Sequence, residues 1–310
     1  MAKIKPPILK FGDTIGIVTL GSPLEASVIN EGIQTLRDNF GFQVVLGENV
    51  YSQTGFLAGS DEQRAADLMQ MFANENVKMI LPTRGGVGVS GILPFLDYSF
   101  IEENPKIISG YSDITVLLNT LAQKANLITF QSLLLLNFRN NTPSYNYNQF
   151  FEATSTITSP RQIVNPSGIE QISKVRGHAV GPIVGGNITS LVDTLGTPYE
   201  IDTTDRILLL EDTNEPANTI YRYLSALKLA GKFDDCAGVV MGQCTNCLVA
   251  YGTSYEDVID ELIVPLGKPL MTNVTTAHGT YKAAIPIGAT VSLDTTNDTL
   301  TVLESTVRLS

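Results

Sequence analysis

The sequence predicts an α/β protein: a parallel-sheet domain in the first half and a mixed α+β domain in the second. Short apolar runs of strand length alternate with helix-like stretches from Thr14 to Gln131. Those runs are apolar at nearly every position, so both faces of the sheet must be covered, as in parallel α/β sheets. From Pro143 to Gly168 the composition shifts to Asn, Ser, Thr, Tyr and Pro with little apolar periodicity, as in an interdomain crossing. The expected division is a first domain over 1–150, a linker over 151–175 and a second domain over 176–310.

Taken in order, Thr14 to Leu20 is the first strand. Ser22-Pro23-Leu24-Glu25 then has the form of a capping box with proline at the first helical position, for a helix running to about Asn39. Phe42 to Leu46 follows as a strand, and Ser60 to Gln63 is a second capping box, opening a helix to Ala73. Lys78 to Pro82 and Lys106 to Ser109 are strands, with Gly91 to Leu96 helix-like between them. A helix from Ile114 and a strand near Leu127 to Gln131 complete the first half. Val180 to Val184 opens the second half, followed by a turn at Gly185-Gly186-Asn187. Arg206 to Leu210 is a buried strand ending in Glu211-Asp212. The helix after Pro216 puts Ile220, Tyr223, Leu224 and Leu227 on one face and is closed by Gly231. Strands at Gly238 to Met241, Thr290 to Leu293 and Thr299 to Leu303, and a helix near Tyr255 to Val264, complete the pattern.

With 310 residues, the chain can bury two cores. A net charge of -11 disfavours a nucleic-acid partner, which would call for clustered Lys and Arg. The stretch MAKIKPPILKFGD, with two early lysines, two prolines and no apolar run, is expected to be neither a secretory signal nor an anchor, and no stretch reaches the ~18 apolar residues that span a bilayer. The expected location is the cytoplasm. Three cysteines, Cys236, Cys244 and Cys247, fit a reducing compartment. Cys244 and Cys247 form a C-x-x-C without the second pair a zinc site needs, so they are expected to be packing cysteines.

Chemistry concentrates at Asn104 to Thr120, where Ser112 falls at the change from strand to helix. A serine on such a turn is pushed out of the backbone, and the free N–H groups of the next helix face developing negative charge. The G-x-S-x-G form is incomplete, because Ile114 stands at the second glycine. The alternative is that Ser112 is an N-cap with Asp113 in the first turn. Only two histidines exist, His178 and His278. His278 lies beside Gly279 before a turn at Pro286 to Gly288, where its ring could enter a cleft; His178 suits a surface or strand-edge role. Glu211 and Asp212 end a buried strand, and because neighbouring strand residues point to opposite faces only one can face a given cleft. Spacing does not choose between them. Ser112, an acid and His278 follow the chain order serine, acid, histidine of one hydrolase fold.

After Pro82, the run Thr83-Arg84-Gly85-Gly86-Val87-Gly88-Val89-Ser90-Gly91 contains G-x-G-x-x-G. A dinucleotide site is disfavoured, because the motif follows a later strand and lacks the acidic residue at the end of the next one. An oxyanion hole is the other use: a Gly85 or Gly86 N–H beside that of Asp113.

The strings FGDTIGIVTLGSP, GFLAGSDEQRAADL, TRGGVG, NPKIISGYSDIT, VGGNITSL, ILLLEDTNEPANTIYRYLSAL and AHG with PIGATVSLD resemble, in order, the LD-carboxypeptidase family of serine peptidases, which includes microcin C immunity peptidases. The resemblance implies a triad of Ser112, His278 and Glu211, selecting Glu211 over Asp212. It further implies oxyanion amides from Asp113 and Gly86, a Rossmann-like first domain, a mixed second domain and a homodimer. The implied reaction, without metal or cofactor, removes a terminal D-alanine from cytoplasmic murein tetrapeptides by cleaving after the L-centre of a diamino acid. Gln131-Ser132 stands where many relatives carry His-Gly. The microcin branch carries longer insertions and a tryptophan near its site; this chain has no tryptophan, so a murein-type peptide is the expected substrate. Arg84 is a candidate for holding its terminal carboxylate, a structural ion pair being the alternative. The rival classes are a peptide-binding relative without turnover and a nicotinamide-dependent oxidoreductase.

Overall fold

Continuous apolar strands need cover on both faces, and the computed structural model, which describes residues 3–309, supplies it twice. In the first half, strands β1 (Thr14–Val18), β2 (Gln43–Leu46), β3 (Val77–Pro82), β4 (Ile107–Gly110) and β5 (Thr129–Gln131) alternate with helices α1 (Ala26–Asp38), α2 (Asp61–Ala73), α3 (Tyr98–Glu103) and α4 (Ile114–Lys124). Next come α5 (Ser144–Ser155), β6 (Arg161–Ile163), β7 (Ile172–Val175), β8 (His178–Asn187), α6 (Ile188–Val192), β9 (Ile207–Thr213) and α7 (Ala217–Leu229). The chain ends with β10 (Gly238–Thr245), α8 (Tyr255–Leu262), β11 (Leu270–Val274), β12 (Ile285–Ile287), β13 (Thr290–Asp294) and β14 (Thr299–Val302).

Two sheets result, with strand orders β12-β5-β4-β3-β1-β2 and β6-β14-β13-β8-β9-β10-β11-β7. From β5 to β2 the first sheet is parallel throughout. In the second, β8, β9, β10 and β11 form a parallel centre with antiparallel strands on either side. This is the mixed α/β architecture that the alternating pattern predicts.

Alternation along β9 divides the second core. Ile207 and Leu209 join the cluster that also contains the first sheet, while Leu208 and Leu210 pack in a second cluster with Ile220, Leu224 and Leu227 of α7. The face that turns toward the first lobe is therefore set by residue parity, as strand geometry requires.

Four local expectations are corrected. Ser22 does not cap α1, which begins at Ala26; its hydroxyl accepts from the Val87 amide and ties the glycine-rich loop down. The Gly185-Gly186-Asn187 turn is instead the end of β8, running parallel to β9 as far as Glu211. A Cβ on Gly186 would lie 2.3 Å from Gln131 Oε1, so this glycine serves the close approach of the two lobes, while a Cβ on Gly185 would meet the Leu209 carbonyl on the neighbouring strand. The Pro286 turn is strand β12, paired with β5, and it tolerates proline because it is the edge of the first sheet. The Pro143–Gly168 stretch holds α5 and β6; α5 buries Asn146, Gln149 and Phe150 together, a polar-rich face that apolar periodicity does not detect. By contrast, the Ser60–Gln63 capping box forms as expected, both of its hydrogen bonds being present.

The cysteines also differ from expectation. Cys244 and Cys247 form a disulfide where β10 ends, their Cα atoms 5.5 Å apart and within bridging range, while Cys236 is a buried free thiol. Among the described residues no helix is long and apolar enough to cross a membrane.

Candidate active site

Ser112 lies two residues past β4 and two before α4, with φ +64°. A left-handed backbone at a residue with a Cβ costs roughly 1–2 kcal/mol, and such strain persists only where the surroundings enforce it. The N-cap alternative does not hold: α4 is capped at Asp113, and no side chain bonds there to the helix N-terminus. The Asp113 carboxylate instead accepts from Val89 N at 2.7 Å and from Ser190 Oγ at 3.1 Å, linking the glycine-rich loop to the second lobe. Burial raises its pKa above the usual carboxylate range.

The glycine-rich loop packs directly on the serine. A Cβ on Gly85 would come within 2.7 Å of Ser112 Cβ, 2.9 Å of Asp113 N and 3.0 Å of Ser112 Oγ. Only glycine admits this approach. The Gly86 amide is bonded to the Gly85 carbonyl carbon and so is adjacent to the contact, while the Gly86 α-carbon, at φ +88°, turns toward Ser22. Arg64, fully buried, fixes the loop by donating to the carbonyls of Leu20, Gly59 and Gly88 and to Asp61. Asp61 lies within 2.6 Å of where a Gly91 Cβ would be, so a carboxylate crowds the last glycine of G-x-G-x-x-G. That is unfavourable for a pyrophosphate.

Glu211 and Asp212 have separate environments, as their parity on β9 requires. Glu211 follows Ile207 and Leu209 onto the face toward the first lobe, where it is fully buried and its Oε2 accepts from His278 Nδ1 at 2.8 Å. Gly242 on β10 makes room for it, since a Cβ there would lie 2.8 Å from Glu211 Cβ. Among the described residues its Oε1 has no hydrogen-bond partner. Asp212 points the other way and is fully engaged: Asn187 Nδ2 and Thr213 N donate to one oxygen, Thr189 N and Oγ1 to the other. Burial, with a smaller contribution from Glu211, raises its pKa.

His278 comes from the loop between β11 and β12. With Nδ1 committed to Glu211, Nε2 is the nitrogen left to accept a proton. The ring packs edge-on against Tyr111, the residue before Ser112, with centroids 5.1 Å apart at 84°. Burial pushes the Tyr111 phenol up to about 12, and its oxygen accepts from Asn137 Nδ2 at 3.3 Å. Glu211 and His278 are thus in direct contact, and Tyr111 and Gly85 flank Ser112. Among the described residues no hydrogen bond joins the Ser112 hydroxyl to the ring; such bonds are often long until substrate is bound. His178 is exposed on β8 and bonds to Ser292 Oγ at 2.9 Å.

Arg84 is half-buried, and among the described residues its guanidinium has no ion pair or hydrogen bond. A structural ion pair is therefore not its role here. Gln131 and Ser132 are buried beside the end of β4, and Gln131 Nε2 reaches Thr276 Oγ1 at 3.4 Å across the lobes. Sequence reasoning passed over Tyr111, whose only signal was its place before the serine, and Lys282, which carried none. Among the described residues no group of three or more His, Cys, Asp or Glu side chains could hold a metal ion.

Comparison with known proteins agrees over most of the chain. Residues 15–132 match the LD-carboxypeptidase N-terminal domain and residues 180–293 the LD-carboxypeptidase C-terminal domain. A probable murein peptide carboxypeptidase of Bacillus subtilis is 35% identical, covering 96% of this chain and 94% of that protein. The microcin C7 self-immunity protein MccF of Escherichia coli is 28% identical over 96% of this chain and 94% of its own length. A solved structure of MccF superposes with a TM-score of 0.92 at 24% identity, over 98% of this chain and all of that one, and shows the same two-domain fold. MccF has also been solved with aspartyl sulfamoyl adenosine. The chain belongs to the LD-carboxypeptidase family and is a serine-type carboxypeptidase.

Proposed function

We propose that this carboxypeptidase removes the terminal D-alanine from cytoplasmic murein tetrapeptides, cleaving after the L-centre of a diamino acid. Ser112 Oγ attacks the scissile carbonyl while His278 Nε2 takes its proton, and Glu211 orients the ring and balances the imidazolium. The Asp113 and Gly86 amides receive the oxyanion. His278 returns the proton to the leaving D-alanine nitrogen; water, activated by the same ring, then hydrolyses the acyl-enzyme. Arg84 anchors the substrate's terminal carboxylate.

The observation that carries this reading is the buried Glu211–His278 pair at 2.8 Å, with its ring packed on the residue before a serine held at φ +64°. The likeness to MccF supports a second substrate class, an aminoacyl-nucleotide amide. Incubation with an L-Ala, D-Glu, diaminopimelate, D-Ala tetrapeptide should release free D-alanine. Release should survive EDTA, and in Ser112→Ala it should fall by about 10⁶-fold. Cleavage of an aminoacyl sulfamoyl adenosine with no D-alanine released would replace the murein reading. Peptide binding without product would indicate a non-catalytic relative.

A further inference from the structure

Lys282 is a cation in an unusual position. It is 6% exposed, yet among the described residues no carboxylate pairs with it. Its Nζ donates to the Gly279 carbonyl, closing the turn that begins at His278. The same ammonium lies 5.4 Å from the centre of the Tyr111 ring, and that ring is the one packed against His278. Two bonds through Asn146 hold the other side of the turn: Lys282 N donates to its Oδ1 at 2.8 Å, and its Nδ2 donates to the Thr280 carbonyl at 3.0 Å. One buried side chain therefore grips both the turn carrying the base and the aromatic residue preceding the nucleophile.

We propose that Lys282 is a positioning residue for hydrolysis, its ammonium clamping the His278 turn and the Tyr111 ring at the relative angle that turns Nε2 toward Ser112. The inference rests on the reading of Ser112 and His278 given above. An ammonium donates three hydrogen bonds and is attracted to a ring face; a neutral amine loses the second interaction. The groups facing it are Glu211 from β9, Arg139 and Tyr111 from the first lobe, and His278 on its own turn. Burial lowers the Lys282 pKa to about 8, opposed by Glu211, which raises it, and reinforced by Arg139. The clamp is thus charged below that value and relaxes as pH rises through it.

The test compares wild type, Lys282→Arg and Lys282→Met in full pH profiles of D-alanine release. Wild-type kcat should fall as pH rises through about 8. Lys282→Arg keeps its charge at any accessible pH, so the alkaline fall should vanish from its profile. Lys282→Met should lose about 10- to 100-fold in kcat near pH 7 with little change in KM, since misplacement of the base affects the reaction and not binding. If Lys282→Met does not fold, as thermal unfolding would show, the Lys282→Arg profile decides. The rate at which an alkyl fluorophosphonate labels Ser112, read by mass spectrometry, reports the same alignment without any peptide. Slower labelling in Lys282→Met with no peptide turnover in wild type would retain the clamp and discard only the murein substrate. Wild-type kcat in Lys282→Met, an alkaline fall unchanged in Lys282→Arg, or a wild-type Ser112 inert to the reagent would overturn the proposal.

Discussion

The serine end of the first sheet and the acid–base end of the second are built on opposite terms. Ser112 has a left-handed backbone, makes no side-chain hydrogen bond among the described residues and sits against a glycine with no room to spare. Glu211 lies on a regular strand and is joined to His278 by a 2.8 Å hydrogen bond in a buried setting, while Ala277, next to the histidine, is left-handed at φ +58°. In the first region the left-handed backbone falls on the proposed nucleophile itself, whereas in the second it falls on the neighbour of the proposed base, whose ring is held by pairing. In the proposed mechanism strain presents the hydroxyl to substrate, and pairing keeps the imidazole in one tautomer.

The sharpest way to break the comparison lies within the second region, at its two adjacent acids. Glu211→Gln should lower kcat by about 10⁴-fold with the fold intact, because an amide neither fixes the tautomer nor balances the imidazolium. Asp212→Asn should do the reverse. It presents an amide to four donors, so it should cost about 1–3 kcal/mol in chemical denaturation while changing kcat far less. Equal kcat losses in the two variants would mean that strand parity does not separate their roles.

In the first region, Gly85→Ala should lower kcat by about 100-fold, since the added methyl displaces Ser112 and the Asp113 amide from the positions they share. The measurement is kcat alongside thermal unfolding, with the activity loss exceeding what any unfolded fraction explains. The smallest effect tests the strain itself. Ser112→Gly removes the Cβ that makes φ +64° costly and should raise stability by about 1 kcal/mol while abolishing turnover. An unchanged or lower stability would show that the left-handed residue is not a strained one.

Much of this arrangement was legible in the chain. The alternating pattern announced the parallel sheet, and the GYSDIT stretch placed Ser112 on a strand-to-helix turn. The scarcity of histidine reduced the base to two positions, of which His278 meets an acid and His178 meets Ser292. What escaped was whatever depends on contact between distant segments. Ser22 has the form of a cap, but Val87, 65 residues away, takes its hydroxyl. Pro286 signals a turn, but β5 supplies an edge on which proline is tolerated. Lys282 gives no local signal because its partners, Gly279 aside, come from Tyr111 and Asn146 in the first half of the chain.

Local conformation was readable along the chain where propensity, capping and hydrophobic period act over a few residues: the buried strands, the Ser60–Gln63 capping box, the turn at Ser112 and the opposite facing of Glu211 and Asp212. Packing of the two lobes chose which of those faces meets the first lobe, which histidine finds an acid and where a lysine is buried with, among the described residues, no carboxylate in direct ion-pair contact. Those outcomes depend on packing two sheets through one shared core, and the distances that packing sets are not encoded in the spacing along the chain.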